Sequence, residues 1–111
     1  MAATQSVDLA DVVVKDSLGR SLSIREPSVL DESRLARLMG DSSTNIGYML
    51  GYVTPAAMVI AIDGEPQPFP RTERQMDAAI QRLGREGIGA VMAHLTRQAE
   101  DENRKPEEIK K

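Results

Sequence analysis

The side chains that could catalyse a reaction or bind a metal are few in this chain. His94 is its only histidine, and it contains no cysteine. A metal site would therefore need mostly oxygen ligands, but Asp8, Asp11 and Asp16 lack the spacing of a calcium-binding loop. No acid or serine is arranged around His94 in the sequence, so we interpret it as a residue on the flank of a helix.

The glycines do not indicate a phosphate site either. Gly84, Gly87 and Gly89 do not follow a predicted strand, as a phosphate-binding loop would, and we interpret them as a junction between two helices. The sequence thus predicts no catalytic residue, no cofactor and no metal. We expect a protein that is not an enzyme and that acts by binding.

Composition narrows the class of partner. The chain has 111 residues, of which 41% are hydrophobic, as expected for one soluble domain. Its net charge of −3 gives no general attraction to nucleic acid or to an anionic membrane. The absence of cysteine is compatible with a reducing cytosol, and the first residues lack the basic and apolar regions of a secretory signal.

The order of the elements predicts an α+β fold, in which an N-terminal β-hairpin precedes a mainly helical domain of about four helices. Residues 1–8 are predicted to be a disordered N-terminus, residues 9–96 a single α+β domain, and residues 97–111 a charged flexible tail. The first hairpin is predicted from a β-branched run at 12–14 and alternating apolar residues at 22–24, with a glycine turn between them.

A second short hairpin is predicted at Asp63-Gly64. These two residues tolerate positive φ, which favours a type I′ turn. The pairs expected across the turn are Ile62 with Glu65, Ile60 with Gln67, and Met58 with Phe69. Pro66, Pro68 and Pro70 lie where the N–H would point away from the partner strand, so they block the outer edge. The alternative is an extended, polyproline-like connector without pairing.

Capping signals predict where the helices begin and end. Ser28 and Asp31 form a capping box before a helix that ends at Gly40, and Thr72 and Gln75 form another. Apolar residues three and four positions apart follow each box, as expected for helices that bury one face.

Residues 42–62 carry no charge, and we predict a nearly buried central helix within them. Gly47 and Gly51 share a face on which another backbone could approach closely. Pro55 is expected to kink this helix or to restart it with Thr54 as the cap. We reject a membrane span because the run begins with polar residues, contains Pro55 and is flanked by acids.

The central helix is also the predicted partner-binding surface. Its apolar surface exceeds what a domain of this size easily covers, which favours a partner or self-association, although methionine could instead fill a core poor in aromatics. The predicted partner-binding residues are Ile46, Tyr48, Met49, Tyr52 and Met58.

Several segments resemble the small tail assembly chaperones of long-tailed bacteriophages and prophages. The similarity covers about residues 11–95 and is most specific at residues 61–70, Ala-Ile-Asp-Gly-Glu-Pro-Gln-Pro-Phe-Pro. The other similar segments are residues 16–20, 28–31, 34–40, 72–84 and 86–91. The resemblance assigns a structural role to Asp63, Gly64, Pro68, Phe69 and Pro70. Pro55 departs from it, since we expect an uninterrupted helix in the family.

The resemblance implies a chaperone that binds the tape-measure protein, keeps it soluble during tail morphogenesis and recruits tail-tube subunits. It further implies a frameshifted longer form of the chain as a partner, with homo-oligomers as another option. The protein would act in the bacterial host cytoplasm and be absent from the mature virion.

The alternative function is a small helix-turn-helix-like nucleic-acid-binding regulator, because residues 75–95 contain two short helices that meet at Gly84. Arg85 stands where an apolar residue should pack, and the domain is acidic, so this is the second choice.

Overall fold

A computed structural model describes residues 10–110, with side chains to residue 103. The predicted disordered segment 1–8 lies outside the described residues. The fold is α+β, as predicted, and its four antiparallel strands form one sheet in the order β1-β2-β3-β4. The strands are β1 (Val12–Lys15), β2 (Ser21–Ile24), β3 (Val59–Ile62) and β4 (Glu65–Pro66).

The N-terminal hairpin is confirmed. β1 pairs with β2 so that Val14 lies opposite Leu22, and Gly19 in the connecting turn has a φ of 83°. β3 then pairs with the other edge of β2, with a register shift between Ser23 and Ile24. The sheet therefore joins strands that are separated in sequence by most of the helices.

The hairpin at Asp63-Gly64 is also confirmed, but it is shorter than predicted. Both turn residues have positive φ, 51° and 83°, as a type I′ turn requires. Ile62 faces Glu65, and the Gln67 N–H donates to the Ile60 carbonyl at 2.8 Å. The third predicted pair, Met58 with Phe69, is wrong because Met58 is still helical and β3 begins one residue later.

The helical part consists of α1 (Val29–Met39), a 3-10 turn (Gly40–Thr44), α2 (Ile46–Tyr48), a π-helical turn (Met49–Val53), α3 (Thr54–Met58) and α4 (Glu73–Lys110). α1 begins with the predicted capping box: Ser28 Oγ accepts from the Asp31 N–H, and the Asp31 carboxylate accepts from the Ser28 N–H. Gly40 ends α1 with a φ of 56°.

The start of α4 differs slightly from a capping box. Thr72 Oγ1 accepts from the Gln75 N–H at 3.0 Å, but Gln75 Oε1 accepts from the N–H of Arg71, one residue before the cap. Gly84 breaks α4 at the predicted position, with φ 65° and ψ −173°. The helix resumes at once, and its backbone includes the predicted tail up to Lys110, whose flexibility stays a prediction.

One core joins the sheet to the helices. Buried side chains of this core include Leu22, Ile24, Leu35, Met39, Val53, Met58, Val59, Met76, Leu83 and Val91. The helix stripes predicted from sequence therefore contribute to this core. Within residues 10–110, no helix combines the length and the apolar character that a bilayer span needs.

Candidate partner-binding surface

α2, the π turn and α3 follow one another without a break, and we refer to residues 46–58 as the central helix. Asn45 caps it, with Oδ1 accepting from the Tyr48 N–H at 3.1 Å. Residues 41–44, which are residue types that often cap helices, lie in the preceding 3-10 turn. There the Ser43 and Thr44 hydroxyls donate to carbonyls three residues earlier and cap no helix.

Pro55 is accommodated by the π turn. The Thr54 N–H bonds to the carbonyl of Met49, five residues earlier, and Thr54 itself has helical angles of φ −63° and ψ −48°. The predicted restart with Thr54 as the cap is therefore wrong. Proline offers no N–H to the carbonyl four residues before it, and its ring needs room there, which a wider turn supplies.

The π turn divides the central helix into an exposed half and a buried half. A π turn holds one extra residue, so the residues before it are offset by about 100° from an uninterrupted helix. Apolar residues on both sides of Pro55 thus cannot all face the same core. Ile46 is 65% exposed and Leu50 is 59% exposed, whereas residues 55–58 are buried. The expectation of a nearly buried helix is wrong for its first half.

The predicted partner-binding residues fall into three groups. Ile46 and Tyr52 are exposed, while Tyr48 and Met49 are half-buried against the core. Met58 is only 4% exposed and completes the core, which leaves it no side-chain surface for a partner. We therefore remove Met58 from the binding surface.

Leu50 is exposed and was not predicted. It lies four residues after Ile46, so the two side chains share one face of the helix. That spacing within an uncharged run is the signal that could have identified it.

The two tyrosines of the central helix lie side by side. The ring centroids of Tyr48 and Tyr52 are 6.2 Å apart, with the ring planes inclined by 34°. Burial raises the pKa of Tyr48 above 10.0, and the negative charges of Asp77 and Glu73 raise it further. The half-buried ring of Tyr48 therefore lies beside the exposed ring of Tyr52.

An apolar cleft of about 320 Å³ runs between α1 and the central helix. We call it the apolar cleft, and it is lined by Glu32, Leu35, Ala36, Ser43, Ile46, Met49, Leu50 and Thr54. Val29 and Leu30 add exposed apolar surface at the start of α1. This exposed apolar surface of α1 was not predicted.

The glycine face of the central helix is open. A Cβ placed on Gly51 would meet no atom within 4 Å, and one on Gly47 would meet only the Asn45 side chain. No backbone of the described part of the chain approaches this face, so the close approach of another backbone stays a prediction.

Two of the segments that carry the resemblance meet at Arg20. Its Nε donates to the Asp16 carboxylate at 2.7 Å, and its Nη1 and Nη2 donate to the carbonyls of Arg82 (2.9 Å) and Leu83 (2.7 Å). These carbonyls lie at the end of the first half of α4, next to the break at Gly84. Arg20 thereby fastens the first hairpin to α4.

Asp16 is held ionised in this arrangement. Burial alone would raise the pKa of its carboxyl, but hydrogen bonds from the backbone and guanidinium of Arg20 and from the Leu18 N–H outweigh burial and lower it. Gly87 leaves room for this contact. A Cβ at that position would come within 2.9 Å of the Leu83 side chain and within 3.4 Å of Arg20 Nη2.

The residues of segment 61–70 have identifiable contacts. Asp63 Oδ1 accepts from the Ser21 N–H at 2.8 Å, which fixes the turn to the start of β2. Pro70 is buried, Phe69 is half-buried against the core, and Pro68 is exposed.

The residues first considered for chemistry form no metal cluster in the described part of the chain. His94 lines a small cleft with Asp11 and Glu26, but the described residues contain no cluster of three acids or histidines that could hold a metal. The two halves of α4 meet at Gly84 alone, whereas a helix-turn-helix uses a turn of three or four residues.

Comparison with known proteins finds no match: no protein-family model, curated protein or solved structure is significantly similar to this chain.

Proposed function

We propose that this protein is a tail assembly chaperone of the long-tailed phage type, which binds the tape-measure protein in the host cytoplasm and keeps it soluble until tail-tube subunits assemble. The observation that carries the proposal is the exposed half of the central helix, where Ile46 and Leu50 line the apolar cleft and Tyr52 is also exposed. The resemblance of residues 11–95 supplies the partner.

The surface suits an amphipathic helix. The apolar cleft separates two helices, and a third helix laid along it would bury Ile46 and Leu50 with its own apolar stripe. Fully burying one such side chain contributes about 1.5–3 kcal/mol, and these residues are already partly covered. A single site is thus weak, and many copies along one long partner would bind firmly through multivalency.

Co-expression with the cognate tape-measure protein tests the proposal; we expect its long gene directly downstream. Ile46→Asp/Leu50→Asp should abolish co-purification and move the tape-measure protein into the insoluble fraction. Leu18→Asp is the matched control, because Leu18 is 63% exposed but lies in the β1–β2 turn. Thermal unfolding followed by circular dichroism must show that both variants fold.

The proposal is wrong if the folded double variant keeps the tape-measure protein as soluble as the original chain does. A salt-dependent shift of duplex DNA by the original chain would instead favour the nucleic-acid-binding alternative.

A further inference from the structure

A second groove lies on α1, away from the apolar cleft. Three arginines surround an apolar floor in a space of about 520 Å³. We call it the arginine groove, and its lining residues are Arg34, Arg37, Leu38, Phe69, Pro70 and Arg71. The α1 residues at positions 34, 37 and 38 share one helix face, which looks onto the segment just before α4.

The three arginines have no acidic partner in the described part of the chain, where the only ion pair joins Arg20 to Asp16. All three are exposed. Three like charges converge here although the whole chain has a net charge of −3. This local excess of positive charge on a negatively charged chain attracts an anionic group. It adds nothing to the stability of the chain without a bound partner.

The floor of the groove is preformed. Leu38 and Phe69 pack against the core, and Pro70 is buried. The backbone N–H of Arg71 donates to Gln75 Oε1 at 2.7 Å, which fixes this segment to the first turn of α4. An apolar side chain placed on this floor would meet surfaces that need no reordering, so little conformational entropy is lost on binding.

We propose that the arginine groove binds a short acidic segment of a partner protein, with one apolar side chain on the floor and carboxylates paired with Arg34, Arg37 and Arg71. The guanidinium fork matches a carboxylate through two parallel hydrogen bonds. This site is independent of the proposed function, which uses the opposite side of α1.

A peptide fits this groove better than a nucleic acid does. A nucleic acid strand extends its charge far beyond three arginines and would meet the negative surface of the rest of the chain. A short acidic segment stays within the local field, since charges are screened beyond about 8 Å at physiological salt. The apolar floor also provides a specific place for a leucine-like side chain.

Fluorescence anisotropy of the full chain tests the site. The probe is a labelled peptide with one leucine flanked on each side by two glutamates, and a second peptide with serine for leucine has the same charge. We expect the leucine peptide to bind more tightly and binding to weaken as salt is added. Arg34→Gln/Arg37→Gln should weaken it by about tenfold or more. Arg34→Lys/Arg37→Lys, which keeps the charge but loses the fork, should weaken it less.

The matched control is Arg25→Gln/Arg85→Gln, which removes the same charge from exposed arginines elsewhere. We expect this variant to bind the leucine peptide like the original chain. All substituted side chains are exposed, so the variants should fold, and circular dichroism checks this.

Four results would overturn the proposal: no binding of the leucine peptide at low salt, equal binding of the serine peptide, equal weakening by the control variant, or tighter binding of a single-stranded oligonucleotide of equal charge. Self-association that disappears in Arg34→Gln/Arg37→Gln would also overturn it, because a second copy would then occupy the groove.

Discussion

Replacing Arg20 by methionine tests whether the contact between the first hairpin and α4 stabilises the fold. Methionine keeps an unbranched apolar stem but removes all three guanidinium hydrogen bonds. The Asp16 carboxylate, whose side chain has no exposed surface, loses its ion-pair partner. The carbonyls of Arg82 and Leu83 lose their donors.

The expected loss follows from these contacts. The bonds to Asp16 and to the Leu83 carbonyl are partly buried, and a hydrogen bond to a charged group contributes about 1.5–3 kcal/mol. The bond to the Arg82 carbonyl is exposed and adds little. We expect Arg20→Met to lower the free energy of unfolding by about 2–4 kcal/mol, because the contacts are only partly buried and Asp16 keeps its hydrogen bonds from the Leu18 and Arg20 backbone. A domain of this size has only about 5–15 kcal/mol in total.

Urea unfolding followed by circular dichroism, with linear extrapolation to water, measures this loss. Arg25→Met is the control, because Arg25 is exposed, and it should change stability by no more than about 0.5 kcal/mol. In a double-mutant cycle, Asp16→Asn should cost less in the Arg20→Met background than alone, with a coupling of about 1–3 kcal/mol. A loss below about 1 kcal/mol for Arg20→Met would contradict a stabilising role for this contact.

The same pair predicts how stability depends on acid. The pKa of Asp16 is lowered in the folded chain, so its contribution is present above the ordinary value of 3.8 and is lost as the pH falls through the lower folded value. In Arg20→Met, burial without the guanidinium favours the protonated acid. That variant should therefore lose less stability on acidification than the original chain does.

The remaining predictions concern Tyr48 and Gly84. The pKa of Tyr48 is raised, so the folded chain keeps its proton while the unfolded chain ionises, and stability should fall as the pH rises above 10.0. Urea titrations at alkaline pH should show that Tyr48→Phe removes this fall and that Tyr52→Phe does not; an unchanged fall in Tyr48→Phe would contradict the assignment. Gly84→Ala should cost about 1–3 kcal/mol, because φ 65° with ψ −173° suits glycine alone. Gly89→Ala, at an exposed helical position with open space around it, should stabilise by up to about 1 kcal/mol, and equal effects at both glycines would contradict this account.

Features that depend on a few neighbouring residues were predictable from the sequence. The capping box at Ser28 and Asp31, the end of α1 at Gly40, the type I′ turn at Asp63-Gly64 and the break at Gly84 are all confirmed. Each arises from hydrogen bonds or backbone angles within about four residues, so nothing distant decides it.

The errors lie where local and distant requirements compete. The predicted pair of Met58 with Phe69 assumed that β3 begins early, but Met58 ends the central helix and fills the core. The sequence predicts that Pro55 disturbs the central helix, but it does not predict the π turn. Several backbone arrangements can accommodate a proline without an N–H donor, and the local sequence does not select among them.

Some features of the two proposed binding surfaces follow from the sequence alone. The sequence determined that residues 42–62 carry no charge and that the chain has one histidine and no cysteine. It did not determine which apolar side chains stay exposed, since exposure depends on which other element covers each face.

Which side chains meet depends on the tertiary fold. It brings Arg20 to carbonyls 62 and 63 residues away, opens the apolar cleft between α1 and the central helix, and sets Arg71 beside Arg34 and Arg37. In each case these groups come into contact only after burial of the common core has fixed the positions of α1, α4 and the sheet. Residue spacing along the chain does not predict such long-range contacts.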